Sequence, residues 1–196
     1  MAGGLTGPAP DERPHPEGRR NILGTRIDPE AEAEPATRRT VLSALVAHEP
    51  GVLAKVSGLF ARRQFNIESL TVGATQDDGL ARITLVIEEP GPGVEQAKKQ
   101  LEKLMPVRSV NELDPNAIRR EIALIKVDAS EPEAVKAVAD MYDAKIVDAS
   151  DGTATIEATG SEEKIEAAIE TLDRFGVREI ARAGTVALAR GAEKTA

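Results

Sequence analysis

Hydrophobic and polar residues alternate along the chain in two patterns, one typical of strands and the other typical of helices. From Thr40 to Ala47 the apolar residues are almost continuous, which indicates an inner strand of a sheet. The apolar residues that follow recur at helical spacing and define one face, made of Val52, Leu53, Val56, Leu59 and Phe60. The periodic part of the chain is therefore predicted to begin with a strand and a helix.

Three strands and a second helix complete this first pattern. Residues 66–75 alternate as a strand does, and Asp77-Asp78-Gly79 predicts a type I′ hairpin turn, which needs positive φ at both central positions. The returning strand has one apolar face, formed by Ala81, Ile83, Leu85 and Ile87. Gly91-Pro92-Gly93 is expected to break the chain before a helix that buries Val94, Ala97, Leu101 and Leu104. Val107 to Leu113 is the last predicted strand of this unit.

The same order of elements is then repeated. Ile122 to Val127 is a predicted strand, and Ser130 with Glu133 is the signature of a capping box that opens a helix. A second turn, Asp151-Gly152, separates two strands, and Ser161 is expected to cap the next helix. Val177 to Leu188 is predicted to form one long final strand. The predicted buried positions of the two helices are Val135, Val138, Met141, Ile165, Ala168, Ile169 and Leu172.

The repeated β-α-β-β-α-β order predicts an α+β fold of two tandem ferredoxin-like units. We place these units at residues 38–114 and 117–191, with Asp114-Pro115-Asn116 at the junction. Residues 1–37 contain six of the twelve prolines and few large apolar side chains. Such a segment buries too little surface to offset the entropy of ordering, so we predict a disordered tail.

Composition excludes several classes of function. A formal charge of −8 argues against nucleic-acid binding, and the strand from Leu80 to Ile87 has no aromatic residue on which an RNA base would stack. The absence of cysteine excludes disulfides and fits a reducing cytosol. No apolar stretch approaches the roughly 20 residues of a membrane span, and the N-terminus lacks the apolar region of a signal peptide. We therefore expect a cytoplasmic protein.

Catalytic chemistry has little support in the sequence. The only histidines are His15 and His48, and no cluster of His, Cys and Asp has metal-ligand spacing. Neither a Gly-x-Ser-x-Gly motif nor a P-loop is present. Acyl-phosphate hydrolases of this topology need an Arg in the first strand–helix loop, where this chain has Glu49. We predict that the chain has no catalytic residue and no metal site.

The first strand–helix loop has features that suit a bound carboxylate. In His48-Glu49-Pro50-Gly51, proline fixes φ, glycine permits close approach to the backbone, and the first helical N–H groups favour negative charge. Asn66, at the start of the next predicted strand, offers both a donor and an acceptor. By spacing alone, Gly51 is equally well explained by a tight turn, and a cap or turn role is favoured for Asn66.

Several short sequence motifs are distributed over most of the chain. They are Pro50-Gly51-Val52-Leu53, Gly58-Leu59-Phe60, Asn66-Ile67-Glu68-Ser69-Leu70-Thr71-Val72, Gln100-Leu101, Lys103-Leu104, Arg119-Arg120-Glu121, Arg182-Ala183-Gly184 and Leu188-Ala189-Arg190-Gly191. Together they resemble the small regulatory subunit of acetolactate synthase, also called acetohydroxyacid synthase. The first unit resembles an ACT amino-acid-binding domain. The resemblance leaves out only about the first 37 residues and the last few.

The resemblance implies a subunit that activates a large catalytic partner in valine, leucine and isoleucine synthesis. It also implies feedback inhibition, usually by valine, and a homodimer formed through the ACT domain. Thiamine diphosphate, Mg²⁺ and FAD would belong to the catalytic subunit, with no cofactor in this chain. The implied effector site lies between two copies and consists of His48, Gly51, Val52, Leu53, Asn66 and Ile67. His48 departs from the pattern of the family, which most often has Asn at this position.

Three further interpretations remain open. The second unit has no loop like the first, because Ser130-Glu131-Pro132-Glu133 is acidic and would repel a carboxylate. We assign it to oligomerisation or to contact with the catalytic subunit. The chain as a whole is alternatively a free-standing ACT-type sensor that acts on another enzyme or regulator, or an enzyme in its own right. Isolation of the native complex and identification of its partner distinguishes a free-standing sensor from a subunit of acetolactate synthase. An assay of the purified chain alone tests whether it is an enzyme.

Overall fold

The computed structural model describes residues 36–192 and 194–195. The order of elements is β1 Thr37–Ala47, α1 Val52–Arg63, β2 Ser69–Ala74, β3 Leu80–Pro90, α2 Gly91–Glu102, β4 Val107–Glu112, β5 Ile118–Asp128, α3 Pro132–Met141, β6 Lys145–Ser150, β7 Thr153–Gly160, α4 Glu162–Asp173, β8 Val177–Arg182 and β9 Val186–Leu188. The predicted α+β class with two ferredoxin-like units is confirmed. The predicted tail falls outside the described residues, except for Ala36 and Thr37, and Thr37 already opens β1.

The first sheet is antiparallel and has the strand order β2-β3-β1-β4. One of its faces packs on α1 and α2. The predicted apolar face of β3 is confirmed there, because Ala81, Ile83, Leu85 and Ile87 are all buried. The other core residues include Leu42, Ala44, Val46, Val56, Phe60, Val94, Ala97 and Leu101. Apart from Phe60, aliphatic side chains thus build this core, as the shortage of aromatic residues requires.

The second sheet has the order β6-β7-β5-β8, with α3 and α4 on one face. In its core, alternate residues of β5 and β7 meet the helices; they are Ala123, Ile125, Val127, Ala154, Ile156 and Ala158. The first three residues of β5 extend beyond this sheet and pair with β9, so that Ile118, Arg119 and Arg120 lie opposite Leu188, Ala187 and Val186. We call this two-stranded extension the ribbon.

The ribbon covers part of the far face of the first sheet, the face that carries no helix. Val41 and Val86 on that face form a small core with Ala187 of β9 and with Leu113 and Ala117 of the connection between β4 and β5. The C-terminal residues of the chain therefore help to bury the first sheet, which explains why β9 is separate from β8.

Two predicted helix starts are wrong by a residue or more. Gly91-Pro92-Gly93 does not break the chain: α2 begins at Gly91 directly after Pro90, because a proline in the first turn costs no helical hydrogen bond. The capping box of Ser130 and Glu133 is absent, since the N-cap of α3 is Glu131. Proline disfavours the helical conformation in the residue before it, so Pro132 becomes the first helical residue and Glu131 its cap. The predicted cap at Ser161 is confirmed, since its side chain accepts a hydrogen bond from the Lys164 N–H.

Met141 is not buried, contrary to prediction, and is 69% exposed at the end of α3. At about 100° per residue it points away from Val135, and Tyr142 packs against the core instead. The long final strand is also wrong. Val177–Arg182 and Val186–Leu188 are two strands, because Gly184 has φ 76° and turns the chain out of the second sheet.

The two hairpin turns differ from one another. Asp151 and Gly152 both have positive φ, as a two-residue turn between paired Ser150 and Thr153 requires. In the first hairpin only Gly79 has positive φ, so the predicted type I′ turn at Asp77-Asp78-Gly79 is wrong. That connection is longer, with the Thr75 N–H donating to Leu80 O across it.

Candidate functional site

The corner between β1 and α1 contains the first half of the predicted site. His48 is exposed, and its backbone N–H donates to Gly79 O at 2.8 Å, which fixes the corner against the β2–β3 connection. Gly51 is the N-cap of α1 with φ 83°, and open space surrounds the position where a Cβ would lie. The positive φ accounts for a glycine without any ligand, and the open space leaves room for one.

The first turn of α1 divides its two apolar side chains between the core and the surface. Val52 is buried in the first core, so its side chain does not face a ligand, and its N–H is in a long contact of 3.4 Å with Glu49 O. Leu53 is 43% exposed. Because Gly51 has no side chain to cap the helix, the positive end of the helix dipole faces outward at this corner.

Asn66 lies in the loop before β2 rather than in the strand, which begins at Ser69. Its side chain is exposed, and its Nδ2 donates to Glu68 Oε1. Ile67 is half-buried against the first core. Glu68 was not among the predicted site residues; it lies only two residues after Asn66, and the hydrogen bond holds the two side chains together. A carboxylate beside an amide oxygen is a good partner for an ammonium group.

Within one chain the corner and Asn66 lie at opposite ends of the first sheet. The strand register pairs Ala47 with Leu80 at the corner end and Val41 with Val86 and Ser69 at the other. Val41 and Ala47 are six residue steps apart, which is about 20 Å along a strand. A single amino acid therefore cannot touch both halves of the predicted site in one copy.

The end of the sheet near Asn66 is joined to the second unit by a short segment, residues 183–185. The Thr185 N–H donates to Ser69 Oγ at 3.0 Å, and Thr71 Oγ1 donates to Ala183 O at 3.3 Å. A Cβ on Gly184 would lie 2.6 Å from Ser69 Oγ. We call residues 183–185 the linker; it holds the beginning of β2 closely.

A buried ionic group lies on the other side of the linker. Glu121, only 5% exposed, accepts hydrogen bonds from Thr185 Oγ1 and from Arg182, both at 2.6 Å. Burial by itself favours the neutral acid. The hydrogen bonds from Thr185 and Arg182, with the charges of Arg182 and Arg39, outweigh burial, so the pKa of Glu121 is lower than its usual value. Glu121 therefore remains ionised, and it connects the linker to β5.

In the part of the chain that the structure describes, no helix is long and apolar enough to cross a membrane. The same residues contain no group of three or more His, Cys, Asp or Glu side chains placed to hold a metal ion.

Comparison with known proteins gives matches over both units. A model described as the AHAS small subunit-like ACT domain matches residues 42–109, and one described as the small subunit of acetolactate synthase matches residues 120–191. The acetolactate synthase small subunit of Mycolicibacterium smegmatis is 46% identical over 153 residues, which cover 76% of this chain and 90% of that protein. The chain belongs to the acetolactate synthase small-subunit family.

Other members of this family match over similar lengths. The acetolactate synthase small subunit of Bacillus subtilis is 40% identical over 163 residues, 81% of this chain and 94% of that protein. The crystal structure of the acetolactate synthase small subunit from Thermotoga maritima superposes with a TM-score of 0.73 at 42% identity, covering 79% of this chain and 98% of that chain. The family assignment and the fold therefore agree.

The two matched ranges cover different parts of the site. The corner, Asn66 and Glu68 all fall within the ACT match, whereas the linker and Glu121 fall within the small-subunit match. The contacts between Ser69 and Thr185 thus join the two characteristic parts of a small subunit.

Proposed function

We propose that this chain is the regulatory subunit of a cytoplasmic acetolactate synthase, with an ACT domain at residues 38–114 and a C-terminal domain at 117–191. It binds the large catalytic subunit, raises its activity and makes it sensitive to a branched-chain amino acid, with valine as the expected effector. Catalysis, thiamine diphosphate, Mg²⁺ and FAD belong to the large subunit. The family membership and the separation of the two half-sites support this proposal.

The effector site is shared by two copies in a homodimer. β2 is an edge strand of the first sheet, so its outer backbone groups are free to pair with a second chain. In an antiparallel β2–β2 pair the residues before Ser69 of one copy lie beside those after Ala74 of the other. The Gly79 carbonyl holds the His48 corner at that same end. A two-fold axis therefore brings Asn66 towards the corner of the second copy, as binding by both half-sites requires.

The chemistry of the two half-sites fits an amino acid. Its carboxylate lies against the start of α1 near Gly51 and Leu53, where the helix dipole favours negative charge. Its ammonium group contacts the Asn66 amide oxygen and the Glu68 carboxylate. The effector side chain packs on Leu53 and on the exposed part of Ile67.

Inhibition follows if the effector makes different contacts with the protein in two arrangements of the dimer. A ligand held between two copies shifts a two-state equilibrium only by its differential affinity, typically about 1–3 kcal/mol. The linker then passes a displacement of β2 to the C-terminal domain, because Ser69 and Thr71 contact it directly. We assign contact with the catalytic subunit to the C-terminal domain.

Replacement of Asn66 with Ala tests the site. Because the Asn66 side chain is exposed, its removal should leave the fold intact, and the variant should still activate a catalytic subunit. Loss of the ammonium partner should raise the valine concentration for half-maximal inhibition about tenfold or more. The measurement is acetolactate formation from pyruvate by the reconstituted enzyme, with increasing valine.

Asn111→Ala is the matched control, since Asn111 is an exposed asparagine on β4, away from both half-sites. It should leave inhibition unchanged. Full valine sensitivity in Asn66→Ala would show that the site is assigned wrongly. Acetolactate formation by the purified chain alone would overturn the regulatory function itself.

A further inference from the structure

A cavity of about 500 Å³ lies between the far face of the first sheet and the ribbon. This is the size of many small-molecule sites, which often occur where two domains meet. Its walls come from the end of β2, from β3 and from both ribbon strands. It is separate from the proposed effector site, because the α1 corner belongs to the helix-bearing side of the sheet, where Val52 is buried.

The charge of this cavity is opposite to that of the chain. The chain has 33 acidic and 25 basic residues, yet the thirteen residues lining the cavity include Arg82 and Arg120 and no Asp or Glu. Among the described residues, ion pairs form at Arg38, Arg39, Lys126, Arg178 and Arg182, and no described carboxylate pairs with either cavity arginine. Two positive charges therefore share a recess without an acidic residue.

Arg82 is held in place by the sheet itself. Its Nη1 donates to Oγ of the fully buried Ser43 at 2.7 Å, which leaves the other guanidinium donors available. Its neighbour across the β2–β3 pair is Gly73, and open space surrounds the position where a Cβ of Gly73 would lie. The missing side chain leaves room beside the guanidinium, so an anion can approach an already oriented donor.

Arg120 shares its face of the ribbon with three aliphatic side chains. The register pairs Arg120 with Val186 and Ile118 with Leu188, so these four side chains lie on one face. Ile118, Val186 and Leu188 are 42%, 52% and 55% exposed, and all three line the cavity. Large aliphatic groups beside a guanidinium suit a ligand that has both a negative end and an apolar body.

We propose that this cavity is a second small-molecule site, which binds an aliphatic carboxylate. The carboxylate oxygens accept hydrogen bonds from Arg82 and Arg120, and the hydrocarbon part packs on Ile118, Val186 and Leu188. The site uses neither the α1 corner nor Asn66, although Thr75 and Gln76 of its wall belong to the segment after Ala74 that the proposed dimer places beside the Asn66 loop of the second copy. A ligand there contacts the first sheet and the ribbon together, and therefore stabilises their packing.

Calorimetric titration of the purified full chain tests this proposal with three probes: 4-methylpentanoate, acetate and inorganic phosphate. We expect 4-methylpentanoate to bind saturably and acetate at least tenfold more weakly, because acetate lacks the hydrocarbon part. Arg120→Gln and Arg82→Gln should each weaken 4-methylpentanoate binding at least tenfold. Arg62→Gln, at an exposed arginine of α1 outside the cavity, should not change it.

Asn66→Ala separates this site from the effector site. It should weaken inhibition by valine about tenfold or more and leave 4-methylpentanoate binding intact, while Arg120→Gln should weaken 4-methylpentanoate binding and leave inhibition by valine unchanged. No 4-methylpentanoate binding up to about 10 mM overturns the proposal, as does equal binding of all three probes or loss of binding in Asn66→Ala. A change in the oligomeric state of Arg120→Gln, measured by light scattering, would also overturn it, because Arg120 would then hold two copies together rather than a ligand.

Discussion

Gly184 is a position at which one side-chain atom would disturb both domains. Its φ of 76° lies in the left-handed region, where residues with a Cβ are strained. A Cβ would also approach Ser69 Oγ to 2.6 Å and Thr71 Oγ1 to 3.1 Å. The linker can lie this close to β2 only because residue 184 has no side chain.

Gly184→Ala should therefore lower the free energy of unfolding by roughly 1–3 kcal/mol, from backbone strain and displacement of Ser69. Urea denaturation of the full chain measures the change. Gly91→Ala is the control, since open space surrounds a Cβ at Gly91 and its φ is not positive. If Gly184→Ala is as stable as the control, the close packing of the linker on β2 is absent in solution.

The sequence predicts some site residues and misses others for identifiable reasons. Gly51 at the start of a helix follows from local pattern alone, because Pro50 and the apolar spacing after it are adjacent in the chain. The burial of Val52 does not follow, since it depends on how α1 packs on the sheet. Ser69 and Thr185 are 116 residues apart, so no local pattern indicates their contact.

At the scale of elements, β5 is the strand that belongs to both parts of the fold. Its residues from Glu121 onward lie in the second sheet, and its first three residues pair with β9. Alternation predicts only Ile122 to Val127, because Arg119, Arg120 and Glu121 are polar and their strand partner arrives late in the chain. Glu121 marks the change between these two parts of the strand, where the linker and Arg182 satisfy its charge.

The ionised Glu121 makes stability depend on pH. Its pKa is lowered in the folded state, so its contribution is fully present above the unfolded pKa of about 4.3 and is lost as pH falls through the folded value. Glu121→Gln should remove this contribution. The urea midpoint of the variant should therefore decline less steeply than that of the unchanged chain when pH is lowered below about 4.3.

Glu170→Gln, at an exposed residue of α4, is the control for loss of one carboxylate from an acidic chain. It should keep the steep acid decline. Identical pH profiles of Glu121→Gln and Glu170→Gln would mean that the buried carboxylate does not carry the effect. Comparison at neutral pH also shows the cost of losing the charged contact with Arg182, which leaves its guanidinium partly unsatisfied.

At the scale of the molecule, three hydroxyl or carboxylate groups connect the proposed effector site to the C-terminal domain. Ser69 Oγ accepts from the Thr185 backbone, and Thr185 Oγ1 donates to Glu121. Asn66 and Glu68 lie within the three residues before Ser69, so we expect occupancy of the proposed effector site to act on the first member of this series. The two domains are thus joined by defined polar contacts in addition to the apolar packing around Val41 and Val86.

Thr185→Val tests whether regulation uses these contacts. Valine has nearly the shape of threonine and keeps the backbone N–H bonded to Ser69, but it cannot donate to Glu121. The isolated variant should bind the effector with a Kd within about twofold of the original, whereas inhibition of the reconstituted enzyme should weaken about fivefold, as loss of roughly 1 kcal/mol of coupling predicts.

Thr171→Val is the matched control: it removes a hydroxyl bonded to Tyr142 inside the C-terminal domain, away from the linker, and should retain full inhibition. Equal loss of inhibition in both variants would point to general loosening of the domain, whereas weaker effector binding in Thr185→Val would place the effect at the ACT site itself.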